Sequence, residues 1–470
     1  MKISIQKLGA IRQAEFTLGD LTIICGGNNT GKTYATYALF GFLSFWRKAF
    51  SIEVPAADVN RLLNEGAIDL DLQTYSDKAP QILENGCKAY TAQLAFVFAS
   101  SEKYFSESKF MVELDMSDIQ PHPTFQRTMG AANAQIFSIS KKADSPVVSV
   151  SLLVDKEKVK IPHDVISQII GEALKEILFG HLFPPPFIAS AERTGAAIFR
   201  QELNFARNRL LEDISSKNKD VDRFDLLSKV HADYALPVKS NVDFTRQLES
   251  LTKKDSFITE NHPEILKDFA DIIGGEYLVT KNDELYYVPK GSKIKLSMDE
   301  SSSAVRSLLD IGFYLRHVAA PGDLLMVDEP ELNLHPENQR RVARLFSRLV
   351  NVGVKVFITT HSDYIIKELN TLIMLNQDKP RLKEIATQEG YDEEEFLYAS
   401  KVRVYIAEEA LIKLDGKMKK TRCQTLVPAE VDAERGIEAR SFDTTIEDMN
   451  RIQDEIVWGD DEAIEQKGST

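Results

Sequence analysis

Two short segments nearly three hundred residues apart constrain this chain more than any other feature. The first, Gly26-Gly27-Asn28-Asn29-Thr30-Gly31-Lys32-Thr33, follows an apolar run over residues 21–25 and precedes a helix-forming stretch. The second, Leu324-Leu325-Met326-Val327-Asp328-Glu329-Pro330, is an apolar strand that ends in two carboxylates. The pair, in this order, predicts an α/β fold in which both segments contribute to one site.

The first segment matches the phosphate-binding pattern G-x-x-x-x-G-K-[ST] at every fixed position. Its glycines let backbone N–H groups approach a phosphate, which a Cβ would block. Lys32 can reach the β- and γ-phosphates, and the Thr33 hydroxyl can bind Mg²⁺. The N-terminus of the following helix adds partial positive charge. We therefore expect bound ATP and Mg²⁺, with the nucleotide contacted by Gly26, Asn28, Asn29, Thr30, Gly31, Lys32 and Thr33.

The second segment supplies the acidic groups that such a site needs. Asp328 suits a contact with Mg²⁺ at the end of its strand. Glu329 would face the γ-phosphate, where it could orient and deprotonate the attacking water. An acidic turn after a strand is common, but here a predicted helix and a buried strand over residues 354–360 follow, and that strand ends at His361. We therefore predict Glu329 and His361 as catalytic residues, and Thr33 and Asp328 as metal ligands.

This set of motifs resembles the ATP-binding-cassette ATPases of the SMC, RecF and OLD type. The strand ending in Asp328 and Glu329 is similar to their Walker B strand with its catalytic glutamate. The run Asp-Glu-Pro-Glu-Leu-Asn-Leu-His-Pro over residues 328–336 resembles the compact OLD-like form, including its D-loop. His361 matches the switch histidine. The resemblance implies an ABC/SMC-like P-loop ATPase head.

The family also carries a signature segment before Walker B, and residues 300–308 are the best candidate. In the family, a signature serine contacts the γ-phosphate held by the other protomer, and Ser302 and Ser303 fit that role. Ala304 stands where the family usually has glycine. A serine-rich N-cap of an amphipathic helix is the plainer interpretation and does not exclude the other. The resemblance implies a head-to-tail homodimer and allows a larger homo-oligomer such as a hexamer.

The order of the motifs predicts the domain organisation. Residues 1–50 and 296–375 would form the two halves of the ATPase head, with an inserted lobe over residues 51–295 and an extension over residues 376–470. The insertion has no sustained heptads, so we expect no long coiled coil. Its predicted elements are short strands at 110–114, 136–139 and 147–154, a helix over 165–182, a largely helical part over 195–274 with Phe199, Leu203, Leu210 and Leu211 on one face, and a hairpin around Asn282 and Asp283.

Two further segments each allow two interpretations. Residues 184–195, Pro-Pro-Pro-Phe-Ile-Ala-Ser-Ala-Glu-Arg-Thr-Gly, are similar to a stretch in OLD-like ATPases, but they could equally be the entry to a helix with Glu192 and Arg193 as surface charges. The acidic tail predicts a short amphipathic helix, which would either dock on a basic partner or on a neighbouring subunit, or solubilise the chain. Its apolar residues are Ile446, Met449, Ile452, Ile456 and Val457.

Charge and composition narrow the function classes. The net charge is −14, whereas general DNA-binding surfaces are usually basic. One basic stretch could form a local patch or a solvated helix face, so direct DNA binding stays open; its residues are Lys401, Arg403, Lys413, Lys417, Lys419, Lys420 and Arg422. Three cysteines without metal spacing, no signal peptide and no membrane-span pattern lead us to expect a cytoplasmic protein without membrane contact.

The C-terminal part lacks the Glu-Gly turn and the Asp-x-Asp that a TOPRIM nuclease needs, so we predict no nuclease site in this chain. A compact ATPase with this motif form and no fused nuclease resembles the ATPase component of PARIS-type anti-phage systems and is similar to Septu-type ATPases. The resemblance implies a sensor or scaffold that controls a separate effector, a TOPRIM nuclease, in response to a phage protein. The alternatives are a RecF-like DNA repair ATPase and a transporter motor, which the long insertion and the missing Leu-Ser-Gly-Gly-Gln disfavour.

Overall fold

The described part of the chain is an α/β structure built around one mixed sheet. The computed structural model describes residues 1–115, 119–131, 134–154, 161–199, 234–281, 284–415, 419–438 and 443–458. The strands are β1 (Lys2–Leu8), β2 (Ile11–Thr17), β3 (Leu21–Cys25), β4 (Ala67–Asp71), β5 (Lys109–Glu113), β6 (Phe125–Ala131), β7 (Ala134–Lys141), β8 (Val147–Leu152), β9 (Pro186–Ala189), β10 (Gly275–Val279), β11 (Leu285–Pro289), β12 (Leu296–Ser297), β13 (Leu324–Asp328), β14 (Lys355–Thr360), β15 (Val402–Lys413), β16 (Lys420–Ala429), β17 (Val431–Asp432) and β18 (Gly436–Ile437).

Helices cover both faces of this sheet and form much of the inserted lobe. They are α1 (Lys32–Ala49), α2 (Ala56–Glu65), α3 (Leu72–Ser76), α4 (Ala79–Thr91), α5 (Leu94–Val97), α6 (His163–Phe179), α7 (Arg193–Ile198), α8 (Leu236–Arg246), α9 (Leu248–Leu251), α10 (Phe257–Asn261), α11 (Pro263–Ile273), α12 (Ser303–Ser307), α13 (Leu309–His317), α14 (Pro336–Asn351), α15 (Asp363–Leu375), α16 (Pro380–Glu389) and α17 (Asp443–Trp458). Among the described helices, α1 is the longest at 18 residues, and none forms a long coiled-coil arm.

The main sheet has six strands in the order β16-β15-β3-β14-β13-β9. All of its pairings are parallel except that of β15 with the edge strand β16. Every residue of β3 and β13 is buried, as expected for parallel strands that are covered on both faces. Because β14 lies between β3 and β13, the carboxyl ends of these three strands are adjacent.

Alternating residues of these strands face two separate cores. Ile24 and Met326 pack on the side of α1 and of the small sheet β2-β1-β5. Ile23 and Val327 face the opposite side, where α13, α14 and α15 supply the apolar partners. The sheet is therefore sandwiched between two layers, which fixes the position of every loop at its carboxyl edge.

The inserted lobe largely has the elements that the sequence predicts. The strands near residues 110, 136 and 147 are present, as is the helix predicted over 165–182, which forms as α6. β6 and β4 were not predicted; together with β7 and β8 they complete a four-stranded antiparallel sheet. The hairpin of β10 and β11 is also present. Its turn residues Asn282 and Asp283 lie outside the described residues, as do Leu203, Leu210 and Leu211 of the predicted apolar face. Phe199, the fourth residue of that face, is 56% exposed.

Two segments that we expected outside the ATPase head contribute strands to its main sheet. β9 comes from the insertion and pairs with β13, while β15 comes from the C-terminal extension and pairs with β3. In the basic stretch, Arg403, Lys413, Lys420 and Arg422 lie on the antiparallel pair of β15 and β16, so its interpretation as a helix face is wrong; Lys417 lies outside the described residues. Apolar residues at Val402, Val404 and Ile406 pack in the core, and this tertiary burial decides the conformation.

None of the helices in the described ranges has both the length and the apolar character that crossing a bilayer demands.

Candidate functional site

The loop between β3 and α1 adopts a conformation that only glycine permits at two of its positions. Gly26 has φ of 142° and Gly31 has φ of 98°. A Cβ on Gly26 would lie 2.6 Å from the carbonyl oxygen of Ala407, and one on Gly31 would lie 2.6 Å from Cγ1 of Ile11. The loop is therefore packed closely against the neighbouring strands β15 and β2. Its predicted phosphate-binding residues Asn28, Asn29 and Thr33 are exposed, and Thr30 is half-buried.

Lys32 lies folded over this loop. Its ammonium group donates hydrogen bonds to the carbonyl oxygens of Gly26 at 2.9 Å and Gly27 at 2.7 Å. Burial lowers the pKa of Lys32, and the carboxylates of Glu329 and Asp328 oppose that change. The two carbonyl dipoles and the nearby carboxylates thus keep the ammonium group of Lys32 at the loop. There it would stabilise the negative charge of a bound phosphate.

Asp328 and Thr33 meet at the end of β13. Asp328 is buried, and its Oδ1 accepts a hydrogen bond from the hydroxyl of Thr359 on β14. Its Oδ2 has no hydrogen-bond partner among the described residues. Burial raises the pKa of Asp328 to about 6, and the Thr33 side chain lies close enough to lower it somewhat. A hydroxyl beside a carboxylate oxygen without a partner fits the oxygen ligands that Mg²⁺ prefers.

Glu329 and His361 face each other across the same edge. Glu329 has φ of 53°, a left-handed conformation uncommon outside glycine, and its carboxylate lies 3.9 Å from Nδ1 of His361. Glu331 is closer: its Oε1 accepts a hydrogen bond from the backbone N–H of His361 at 2.8 Å and lies 3.2 Å from Nδ1. Glu331 was not among the predicted site residues. Its position in the run Asp-Glu-Pro-Glu, two residues after Glu329, is the sequence feature that could have identified it.

The segment that follows β9 also reaches this edge. The Tyr37 hydroxyl donates a hydrogen bond to Glu192 at 2.8 Å, and the charge of Glu192 is one of the groups that raise the pKa of Asp328. Arg193 begins α7 but is only 1% exposed, so its interpretation as a surface charge is wrong. The role of this segment could not be predicted, because no local pattern in residues 184–195 indicates that β9 pairs with β13.

The signature candidates occupy a different, exposed turn. Ser302 caps α12, and its hydroxyl accepts a hydrogen bond from the N–H of Val305 at 3.3 Å, which confirms the N-cap interpretation. Arg306 fastens the preceding turn by donating to the carbonyl oxygens of Met298 and Ser301. The hydrogen bonds described for Ser302 are local, and both Ser302 and Ser303 are exposed. Their predicted contact with a second protomer stays a prediction.

We predict that Gly26→Ala lowers the melting temperature of the nucleotide-free protein, because its Cβ would collide with the backbone of β15 at a φ that alanine disfavours. A cost of about 1–3 kcal/mol is expected for such strain. Gly27→Ala is the matched control, since its Cβ would have only Thr30 Cγ2, at 4.0 Å, within reach. Thermal unfolding that is equal for the two variants would contradict the tight fit.

A second prediction concerns Asp310, a fully buried carboxylate on α13. Burial raises its pKa to about 7, although the charge of Arg193 opposes the rise. The folded protein therefore keeps this proton while the unfolded chain releases it near pH 4, so the free energy of unfolding should fall as the pH rises from about 4 to about 7. In denaturant titrations, Asp310→Asn should therefore show a smaller fall of the unfolding free energy with pH. Part of the fall should remain, because the raised pKa of Asp328 acts in the same direction. Parallel curves for both proteins would contradict the prediction.

Comparisons with known proteins agree with this site. Residues 1–366 match the family model described as AAA ATPase domain (AAA_15), a span that includes every predicted site residue from Gly26 to His361. No curated protein matches the chain.

Among solved structures, three SMC heads are similar. One is an SmcHead bound to the C-winged helix domain of ScpA, at 11% identity, covering 90% of this chain and 97% of that one, with a TM-score of 0.30. Another is the SMC head domain from Thermotoga maritima, at 10% identity, 92% and 98% coverage and a TM-score of 0.28. The third is an Smc head domain with an extended coiled coil bound to the C-terminal domain of ScpA derived from Pyrococcus furiosus, at 14% identity, 96% and 98% coverage and a TM-score of 0.30.

The family assignment rests on the sequence match, which spans more than three quarters of the chain. The glycine loop, the buried Asp328 and the Glu329–His361 pair lie within that match. This chain belongs to the AAA ATPase domain family.

Proposed function

We propose that this chain is a Mg²⁺-dependent ATPase that acts as the sensor or scaffold of an anti-phage defence system. ATP binding and hydrolysis follow from the family. The observation that supports a working hydrolytic site is the convergence of Thr33, Asp328, Glu329 and His361 at the carboxyl ends of three adjacent strands.

The residues have distinct roles in this proposal. Lys32 and the loop amides hold the phosphates, and Thr33 and Asp328 hold Mg²⁺, which supplies charge neutralisation at the phosphates when bound. Glu329 orients and deprotonates the attacking water. His361, which Glu331 holds through a hydrogen bond to its backbone N–H, stabilises the charge that develops on the γ-phosphate. Because these groups occupy one sheet edge, a single protomer offers all but the serines of the partner.

A second protomer completes each site in the proposed head-to-tail dimer. Ser302 and Ser303 are exposed at the start of α12, so they are free to approach the γ-phosphate bound by a neighbouring copy. Larger assemblies, such as a hexamer, can be built from such dimers. Opening and closing of the dimer would control a separate effector, a TOPRIM nuclease, after a phage protein triggers the change.

The catalytic assignment predicts a separation of binding from turnover. Glu329→Gln should retain ATP affinity and lose about a hundredfold or more in kcat, because only the general base is removed. Lys32→Ala should instead weaken ATP binding itself. Steady-state hydrolysis and equilibrium binding of a fluorescent ATP analogue would measure both. A Glu329→Gln variant that hydrolyses ATP at the wild-type rate would refute the role of this carboxylate.

The dimer assignment is tested by mixing two inactive proteins. Ser302→Asp preserves the N-cap, since aspartate caps as well as serine, but it puts a negative charge opposite the phosphate. Combined with Lys32→Ala protomers, it should regain about a quarter of wild-type activity, because half of the random dimers contain one intact composite site. No recovery on mixing would show that the serines do not act across a dimer.

The biological role is tested by co-purification from native cells. Tagged wild type and Glu329→Gln would be isolated with ATP and Mg²⁺, then analysed by mass spectrometry and by absorbance at 260 nm. A stoichiometric nuclease-like protein with little nucleic acid supports the defence role. Bound DNA without a protein partner would replace it with the RecF-like repair function, which the net charge of −14 disfavours.

A further inference from the structure

One buried arginine joins three separate segments around the catalytic turn. Arg193 donates four hydrogen bonds, and every acceptor is a backbone carbonyl oxygen. Nη1 bonds Ser190 at 2.8 Å and Asp328 at 2.7 Å, Nη2 bonds Glu329 at 2.9 Å, and Nε bonds Ser307 at 2.6 Å. The guanidinium thus touches the end of β9, the end of β13 and the end of α12 at once.

We propose that Arg193 is a positioning residue for hydrolysis: its guanidinium holds the turn that carries Glu329 in the catalytic orientation and ties that turn to α12, the helix that begins at the candidate signature serines. Arg193 does not touch the reacting atoms in this proposal. It acts through the backbone of Glu329. The inference rests on the ATPase chemistry of the proposed function and is independent of the effector.

The backbone at Glu329 needs such support. Its left-handed φ of 53° is sparsely populated for a residue with a side chain, and such conformations persist only where the surroundings hold them. Three hydrogen bonds do so here: the N–H of Glu329 donates to the carbonyl oxygen of Thr359 at 3.0 Å, and its carbonyl oxygen accepts from the N–H of Leu332 at 3.1 Å and from Arg193. Arg193 is the only side chain among the three. Both ends of the residue are therefore held, and this fixes the direction in which the Glu329 side chain leaves the backbone.

The chemistry of the site calls for arginine in particular. A guanidinium is a planar fork with five N–H donors, so it can bond several carbonyl groups in fixed directions, whereas an ammonium offers three donors at a point. Burying a cation is also costly, and an apolar side chain of similar volume often gives equal or better stability. Burial lowers the pKa of Arg193, while the charges of Asp310, Asp328 and Glu331 oppose that change. Selection for stability alone would not require this group.

The hydrogen bond to Ser307 connects Arg193 to the helix that carries the candidate serines for the partner's nucleotide. Ser307 ends α12, the short helix that Ser302 caps. One guanidinium therefore bridges the helix that would meet the partner's nucleotide and the turn that would activate water on this protomer's nucleotide. Movement of α12 on assembly would be passed to Glu329 through a single side chain.

The test uses Arg193→Lys, with Arg193→Gln as a second variant in case the first does not fold. Both should keep ATP affinity within a few-fold of wild type and lose about a hundredfold in kcat, the loss expected for a small misplacement of a catalytic group. Arg348→Lys is the matched control. Arg348 is also buried and ion-paired, to Asp268 and Glu394, but it lies outside the site. It should lower the melting temperature and leave kcat unchanged.

A double variant separates positioning from a structural role. If Arg193 acts through Glu329, then adding Arg193→Lys to Glu329→Gln should cost little further activity, because the group it positions is already disabled. Losses that multiply would overturn the proposal, as would a kcat of Arg193→Lys equal to wild type. A wild type that binds ATP without hydrolysing it would contradict the proposed ATPase instead, so the two failures are distinguishable.

Discussion

The site depends on the position of β14 between β3 and β13. In this parallel arrangement Cys25 is opposite Thr360, and Thr359 is opposite Asp328, so the residues after each strand emerge at one edge. Neighbouring strands are about 4.8 Å apart, which puts the glycine loop and the acidic pair roughly 10 Å from each other. A nucleotide with its metal can span that separation, and His361 emerges between the two. Without this strand order the motifs would remain two unrelated turns.

The same edge concentrates buried charge, and the charges offset one another. Burial lowers the pKa of Lys32 and of Arg193, and it raises those of Asp328 and Asp310. Each group alone would be costly in this setting, but each cation has carboxyl groups near it: Lys32 has Asp328 and Glu329, and Arg193 has Asp310 and Asp328. The side chains of Lys32, Arg193, Asp328 and Asp310 are all buried away from water, in an interior where electrostatic interactions are stronger than at the surface. Arg193 donates its hydrogen bonds to backbone carbonyl oxygens, so it does not occupy the carboxylate oxygens of Asp328 and Glu329.

Local patterns carried much of the prediction. The strand, glycine loop and helix around Lys32, and the strand ending at Asp328, have forms that chemistry dictates over a few residues, and the structure has them where expected. The insertion strands β5, β7 and β8 also form where strands were predicted. Pairing partners did not follow. Nothing within residues 186–189 or 402–413 indicates that these strands lie beside β13 and β3, since that choice depends on which faces the whole chain buries.

The sequence by itself determined that a phosphate loop, an acidic strand end and a histidine strand end are present, because each needs particular residue types at fixed spacing. Only the tertiary structure decided which other groups join them. Glu331 accepts a hydrogen bond from the backbone N–H of His361, and Glu192 accepts one from the hydroxyl of Tyr37. Arg193, which the sequence alone allowed as a surface charge, is buried within the site. These contacts link residues from 30 to 155 positions apart. Hydrogen bonds over such separations arise when strands pair and layers pack, and no short stretch of sequence encodes them.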